Sequence, residues 1–386
     1  MRTLQNAGRG VVMIVAIALT LGLSGANASS LTFTCDTASS VVNPDTYASG
    51  TCAYLNSTIA NLYTSTFTNL NANIYVEQST TAALGSSNSG YVSVLSYSNY
   101  LFHLTSSAGT NAIDTAAIAA MNAIDTPVYN AGAASNVVVP TALASALGIT
   151  HLTGTTATGL ACSIGRAGCY NGIIYISTPD NLASGSPDPN NPQTLYWRQN
   201  GGTIGQNSYD YYTIVEHETN EILGTTSCMS TVSTTLALQN ACALIGPSTV
   251  TAVDLFRYNG AGVLAVSSNY LGQTSAPNGA YFSYDGGVTN GAAGAVYNTA
   301  SNGLDYADFI PTCTFIQDAS GCLGQSVDIT NDGGAEINIL DAIGYNTING
   351  NTSNVSSTPE PGTLVLFGAG LICIACRRRF SALISR

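Results

Sequence analysis

The segment Glu216-His217-Glu218-Thr219-Asn220-Glu221 gathers residue types that can do chemistry. Of the three histidines in the chain, only His217 stands among carboxylates. Placed on a helix, residues 217 and 221 are i and i+4, about one turn apart, so an imidazole nitrogen and a carboxylate oxygen can converge on one ion. Both donor types suit Zn²⁺. Glu218 is rotated about 100° from His217. It is poorly placed as a ligand beside them, but it can reach a water held by the ion and act as general base. His103 and His151 lie upstream among apolar and Thr-rich residues and read as ordinary core or surface histidines. The non-catalytic alternative for 217–221 is a Glu-rich turn of a surface helix.

A helix must carry these groups, and the flanking residues supply its ends. Asp210 can cap a helix from about Tyr211 to Leu223, and Gly224 can stop it. Tyr211, Tyr212, Val215, Thr219, Ile222 and Leu223 then cluster on one side, with His217, Glu221 and Gly224 opposite. Upstream, residues 31–110 read as strand, helix, strand, strand: Leu31 to Cys35, Thr51 to Phe67, Asn73 to Glu77 and Tyr91 to Tyr97. Ala112 to Ala123 reads as a helix, Val137 to Pro140 as a short strand, Thr141 to Gly148 as a short helix and Gly172 to Ser177 as a buried strand. Thr178 to Asn207 is a polar loop. Beyond Cys242 the chain is rich in Gly and Asn, with short strand candidates at Gly262 to Ser267, Ala280 to Tyr284 and Gly294 to Tyr297, and a closing helix at Ile337 to Tyr345.

The 386 residues, 45% hydrophobic and 8% charged, are enough for a substantial core. Six of the nine arginines lie in the first ten or last ten residues and there is no lysine, so residues 29–358 set three arginines against 20 carboxylates, a balance of −17 with histidine neutral. Such a field repels phosphate backbones and anionic membrane surfaces, which excludes nucleic acid as a partner.

Both ends read as targeting segments. Arg2 and Arg9 precede the apolar run Val11 to Leu23 and then Ala26-Asn27-Ala28, the three regions of a secretory signal peptide, with cleavage expected after Ala28. At the other end, Thr358-Pro359-Glu360-Pro361-Gly362 is followed by the apolar stretch Thr363 to Cys376 and by Arg377-Arg378-Arg379. That order resembles the PEP-CTERM sorting signal of Gram-negative bacteria. The resemblance implies transient membrane insertion through the apolar stretch and processing by an exosortase-type sorting protease, with release to the surface or exopolysaccharide matrix. Residues 349–358 form a Ser/Thr/Asn linker between the tail and the domain at 29–348, which divides into an N-terminal part, 29–224, and a C-terminal part, 225–348. Export fits the cysteines: outside the tail, eight fall into four near-neighbour pairs, so bridges 35–52, 162–169, 228–242 and 313–322 are expected.

The site follows the logic of His-Glu-x-x-His zinc peptidases with Glu221 in place of the second histidine. The chain resembles a family of exported bacterial metalloproteases with a His-Glu-x-x-Glu-x-x-Gly helix and an Asp-Leu-Phe-Arg-Tyr segment. The matching residues are Glu216 to Gly224, Asp254-Leu255-Phe256-Arg257-Tyr258, Tyr281 to Gly287 and Leu340 to Tyr345. The resemblance implies a zincin-like α+β fold: an N-terminal mixed sheet with helices, an active-site helix, and a Gly/Asn-rich C-terminal subdomain with a Met-turn-like part. It also implies zinc-dependent hydrolysis of peptide bonds. Position 227, where a third ligand is often found, is Ser227, a poor zinc ligand. Asp254 is the candidate third ligand, because it lies in the shared segment beyond the 228–242 loop, and Tyr258 is the candidate donor to a tetrahedral oxyanion. Asp328 to Glu336 offers oxygen ligands and glycines in a loop, which a structural Ca²⁺ can use, although it lacks EF-hand spacing and a solvated acidic turn is the plainer reading. The rival class is a non-catalytic matrix or adhesion protein, favoured by the Gly/Ser/Thr/Asn-rich surface and the sorting tail.

Overall fold

The computed structural model describes residues 29–36, 50–80, 82, 84–123, 128–129, 132–133, 136–229, 242, 249–265, 279–298 and 305–348. The leader, the linker and the sorting tail expected from the sequence lie outside the described residues. The architecture is mixed α+β with several small sheets.

A four-stranded sheet anchors the N-terminal part. Its members are β1 (Ser30–Cys35), β2 (Asn71–Ser79), the strand Gly172–Ser177 and β3 (Gly85–Asn88), in that spatial order. β1 alternates, burying Leu31, Phe33 and Cys35, and runs parallel to β2 with Phe33 opposite Ile74. Gly172–Ser177, parallel to β2, reads Ile-Ile-Tyr-Ile because both of its faces are covered. β3 pairs antiparallel to it and forms the edge of the sheet. A second sheet joins β4 (Val92–Ser96), Asn136–Pro140 and Thr249–Thr251.

The helices are α1 (Thr51–Tyr54), which continues through the π-helical turn Leu55–Ile59 into α2 (Ala60–Thr64), then α3 (Tyr97–Ser107), α4 (Ala112–Ala123), α5 (Thr141–Ala146), α6 (Pro179–Ser184), α7 (Tyr211–Leu223) and α8 (Ala335–Ile343). α7 forms as its sequence requires. The Asp210 side chain accepts from the Tyr212 N–H at 2.9 Å, and Gly224, at φ +132°, lets the Thr225 N–H turn back onto the Asn220 carbonyl at 3.0 Å. Both faces of α7 are buried, not one: only Thr213 and His217 retain partial exposure. α8 packs against α4 and α7, and the Tyr345 hydroxyl donates to the Leu223 carbonyl at 3.0 Å, tying the two helix ends together.

Three local readings are corrected. The stretch taken to end as a strand at Tyr97 turns there into α3, capped by Ser96, whose side chain accepts from the Asn99 N–H. Gly294 to Tyr297 makes no strand; Tyr297 forms a single bridge to Phe309. The polar segment 178–207 contains α6 and the short strand Thr194–Tyr196. All four expected disulfides form: Cys35–Cys52, Cys162–Cys169, Cys228–Cys242 and Cys313–Cys322. Among the described residues no helix is long and apolar enough to cross a membrane, and the apolar stretch 363–376 lies outside them.

Candidate metal centre

α7 lies so close to the sheet that glycine is required beneath it. A Cβ on Gly172 would meet Ile222 at 2.7 Å, and one on Gly85 would stand 2.5 Å from Glu218 Oε1 and 2.6 Å from Ile214 Cγ2. The edge strand β3 therefore runs directly over the face of α7 that carries Glu218 and Glu221. Two positions on, the Ser87 hydroxyl donates to Glu221 Oε2 at 2.6 Å.

His217 Nδ1 is 2.9 Å from the Ile316 carbonyl oxygen, which can only accept, so this nitrogen carries the proton and donates. The free nitrogen, Nε2, faces Glu221 Oε1 and Asp308 Oδ1, each at 3.8 Å. An imidazole lone pair pointing at two carboxylates is repulsive unless positive charge lies between them, either a proton or a metal ion. Burial by itself lowers the imidazole pKa, but Asp308 and Glu221 outweigh it and the net shift is upward. Burial pushes Asp308 up to about 7, opposed by His217 and reinforced by Glu221. Burial and the adjoining Glu221 carboxylate raise Glu218 well above the usual carboxylate range. The site thus concentrates buried carboxylates around one imidazole, an arrangement that a divalent cation relieves.

His217, Glu221 and Asp308 are the one group of three among the described residues whose ligand atoms all lie within 4.8 Å of one another. Two ligands about 2.1 Å from a tetrahedral zinc lie roughly 3.4 Å apart, so the 3.8 Å separations close with a few tenths of an ångström of movement. One nitrogen and two carboxylate donors, with the second imidazole nitrogen tied to a backbone carbonyl, fit zinc.

Asp254 is not part of this group. Its Oδ1 accepts from the Ser227 hydroxyl at 2.6 Å, and its Oδ2 from the Cys228 and Thr251 N–H groups at 3.1 and 3.0 Å. It ties the turn after α7 to the strand Thr249–Thr251, so the absence of a ligand at Ser227 and the presence of Asp254 are two sides of one structural contact. Tyr258 is buried with its hydroxyl unpartnered, lies near Gly287 and is not among the residues lining the cleft, so the structure does not place it as an oxyanion donor. Arg257 has the organising role in this segment. Fully buried, it stacks over Tyr297 at 4.4 Å and donates to the Tyr306 and Asn298 carbonyls, fixing the loop that delivers Asp308.

One local feature marks Asp308 in the sequence. The pair Asp305 and Asp308, two carboxylates three apart in a Gly- and Asn-rich region, was the available signal. In the loop Asp328 to Glu336 one oxygen of each carboxylate is engaged within the protein, while Asp332 Oδ2 and Glu336 Oε2 are buried without a partner. Asp328 Oδ1 accepts from the Thr330 N–H and hydroxyl, Asp332 Oδ1 from the Gly334 N–H, and Glu336 Oε1 from the Gln317 N–H. His103 faces the Leu147 carbonyl, and His151 is exposed at φ +59°.

The cleft beside the group has a volume of about 400 Å³. Its walls include Leu84, Gly85, Ile214, Phe315, Ile316 and the Cys313–Cys322 bridge, with His217 and Glu218 at its floor.

Residues 357–379 match the family model of the PEP-CTERM protein-sorting motif. No curated protein and no solved structure matches the chain. The tail marks an exported protein sorted to the envelope of a Gram-negative bacterium, and its motif is of the kind that an exosortase-type sorting protease recognises.

Proposed function

We propose that the protein is an exported, zincin-like zinc endopeptidase in which His217, Glu221 and Asp308 hold the metal and Glu218 is the general base. The observation that carries this reading is the lone imidazole whose free nitrogen faces two buried carboxylates at 3.8 Å each, beside an open cleft. Zinc bound there would supply Lewis acidity, polarising the scissile carbonyl and acidifying water. The Ile316 carbonyl keeps His217 in the tautomer that leaves Nε2 free, and Ser87 fixes the orientation of Glu221. Glu218 lines the cleft and accepts the proton of the attacking water. Its raised affinity for that proton suits it to pass the proton to the departing amine. Neither Asp254 nor Tyr258 takes part in this scheme.

The cleft supports one mode of substrate binding in this reading. β3 is an edge strand, and an extended peptide can add to such an edge by main-chain hydrogen bonds. The apolar walls then receive a bulky apolar side chain next to the scissile bond. Sorting through the tail would bring this activity to the cell surface or the exopolysaccharide matrix. The test is cleavage of a mixed peptide library by the purified mature chain. Cleavage abolished by a chelator and restored by zinc, with apolar residues enriched beside the cut, supports the reading; no cleavage by zinc-supplemented protein overturns it.

A further inference from the structure

The segment between Cys313 and Cys322 does two jobs in the structure that its sequence gives no sign of. Its residues form much of one cleft wall, and its middle grips two of the three ligands. The Ile316 carbonyl accepts from His217 Nδ1 at 2.9 Å, and the next side chain, Gln317, donates from Nε2 to Asp308 Oδ1 at 2.9 Å. Gln317 is fully buried. Its amide has one orientation. The ionised Asp308 carboxylate can only accept, so the NH₂ group of Gln317 faces it, and Gln317 Oε1 is left to accept from the Thr225 hydroxyl, just past the end of α7, at 3.2 Å. The Gln317 main chain is fixed as well, its N–H donating at 2.8 Å to Oε1 of the fully buried Glu336 on the first turn of α8.

We infer that Gln317 is a positioning residue for the metal. It aims one Asp308 oxygen at His217 Nε2 and couples the bridged cleft wall to the ligand set, and this inference rests on the metal reading above. Asp308 sits on an irregular loop with no helix or strand to orient its carboxylate, unlike His217 and Glu221 on α7. Remove the amide and the carboxylate keeps its place in the chain but loses the donor that selects its rotamer. Partners of this kind typically change metal affinity by about 10–100-fold. Thr225 acts one step further out: without its hydroxyl, Gln317 Oε1 loses its donor and the amide is held less firmly against Asp308.

The test measures metal binding directly, apart from turnover. Gln317→Met keeps the length and removes the amide; Thr225→Val keeps the shape and removes the donor. Both are titrated with zinc against a competing chelator, and Co²⁺ is substituted to read ligand geometry from its visible absorption. The expected result is zinc affinity about 10–100-fold weaker in Gln317→Met, a smaller loss in Thr225→Val, and altered Co²⁺ bands in both, with all four disulfides intact. If Gln317→Met does not fold, the Thr225→Val spectrum and affinity decide alone. Wild-type zinc affinity and unchanged Co²⁺ bands in the folded variants would overturn the assignment of Gln317 while leaving the metal site standing. A wild-type chain that binds no zinc would remove both.

Discussion

His217 Nε2 and Asp308 Oδ1, far apart in the sequence, face each other at 3.8 Å. His217 comes from a regular helix and Asp308 from a loop held by Arg257 and Gln317, so the site needs the helix and the loop both in place.

Glu218→Gln keeps the shape of the side chain and removes its proton acceptor. Hydrolysis of a casein-type substrate should fall about 10²–10⁴-fold while bound zinc is unchanged. Full activity in this variant would remove Glu218 from the mechanism.

Gly85→Ala places a methyl group 2.5 Å from Glu218 Oε1 and 2.6 Å from Ile214 Cγ2. Overpacking of this kind costs on the order of 1–3 kcal/mol, so the melting temperature should drop and activity with it. Gly185→Ala is the control: its backbone is helical and an added Cβ meets only ordinary contacts at 3.5 Å or more, so stability should hold or rise slightly. Equal melting temperatures for the two variants would contradict the close approach of β3 to α7.

Much of α7 was legible because its signals are local: a capping Asp210, apolar residues at helical spacing and a terminating Gly224. The disulfides were legible for a similar reason, each joining a cysteine to its nearest neighbour outside the tail. β3 was not, since Gly-Ser-Ser-Asn has no strand propensity and owes its conformation to pairing with Ile173, Ile174 and Ile176. Asp254 drew attention through the segment it belongs to, but its contacts are those of a turn anchor. Asp308 is selected by tertiary structure alone, through partners that no spacing rule connects to His217.

Stability should also depend on pH. Burial, then the neighbouring Asp114, pushes Asp341 up to about 7, and burial pushes Asp114 up to about 6. In the unfolded chain both titrate near 4. The folded state therefore favours the protonated forms, a stabilisation complete below about pH 4 and lost as the pH rises through 6 to 7. The metal-free protein should melt at a lower temperature at pH 8 than at pH 5, and Asp341→Asn, which stays neutral, should reduce that difference. The same pH dependence in Asp341→Asn as in the wild type would rule these residues out as its source.

The Cys313–Cys322 bridge spans 9 positions, and its loop supplies both cleft wall and ligand contacts. Replacing both cysteines by serine should weaken zinc binding and reduce kcat/KM for peptides with bulky apolar residues. Removing the Cys162–Cys169 bridge in the same way should leave zinc affinity unchanged. The comparison is a zinc titration of the two double variants, and equal losses in both would contradict a specific role for the 313–322 loop.

The most direct measurement is the zinc content of the purified mature chain and of two aspartate variants. Asp308→Asn and Asp254→Asn each remove one buried carboxylate charge, but only Asp308 stands beside His217 and Glu221. About one zinc per wild-type chain is expected, retained in folded Asp254→Asn and lost or greatly weakened in Asp308→Asn. A zinc-free wild type after supplementation, or zinc kept by Asp308→Asn and lost from folded Asp254→Asn, would contradict the His217, Glu221 and Asp308 site.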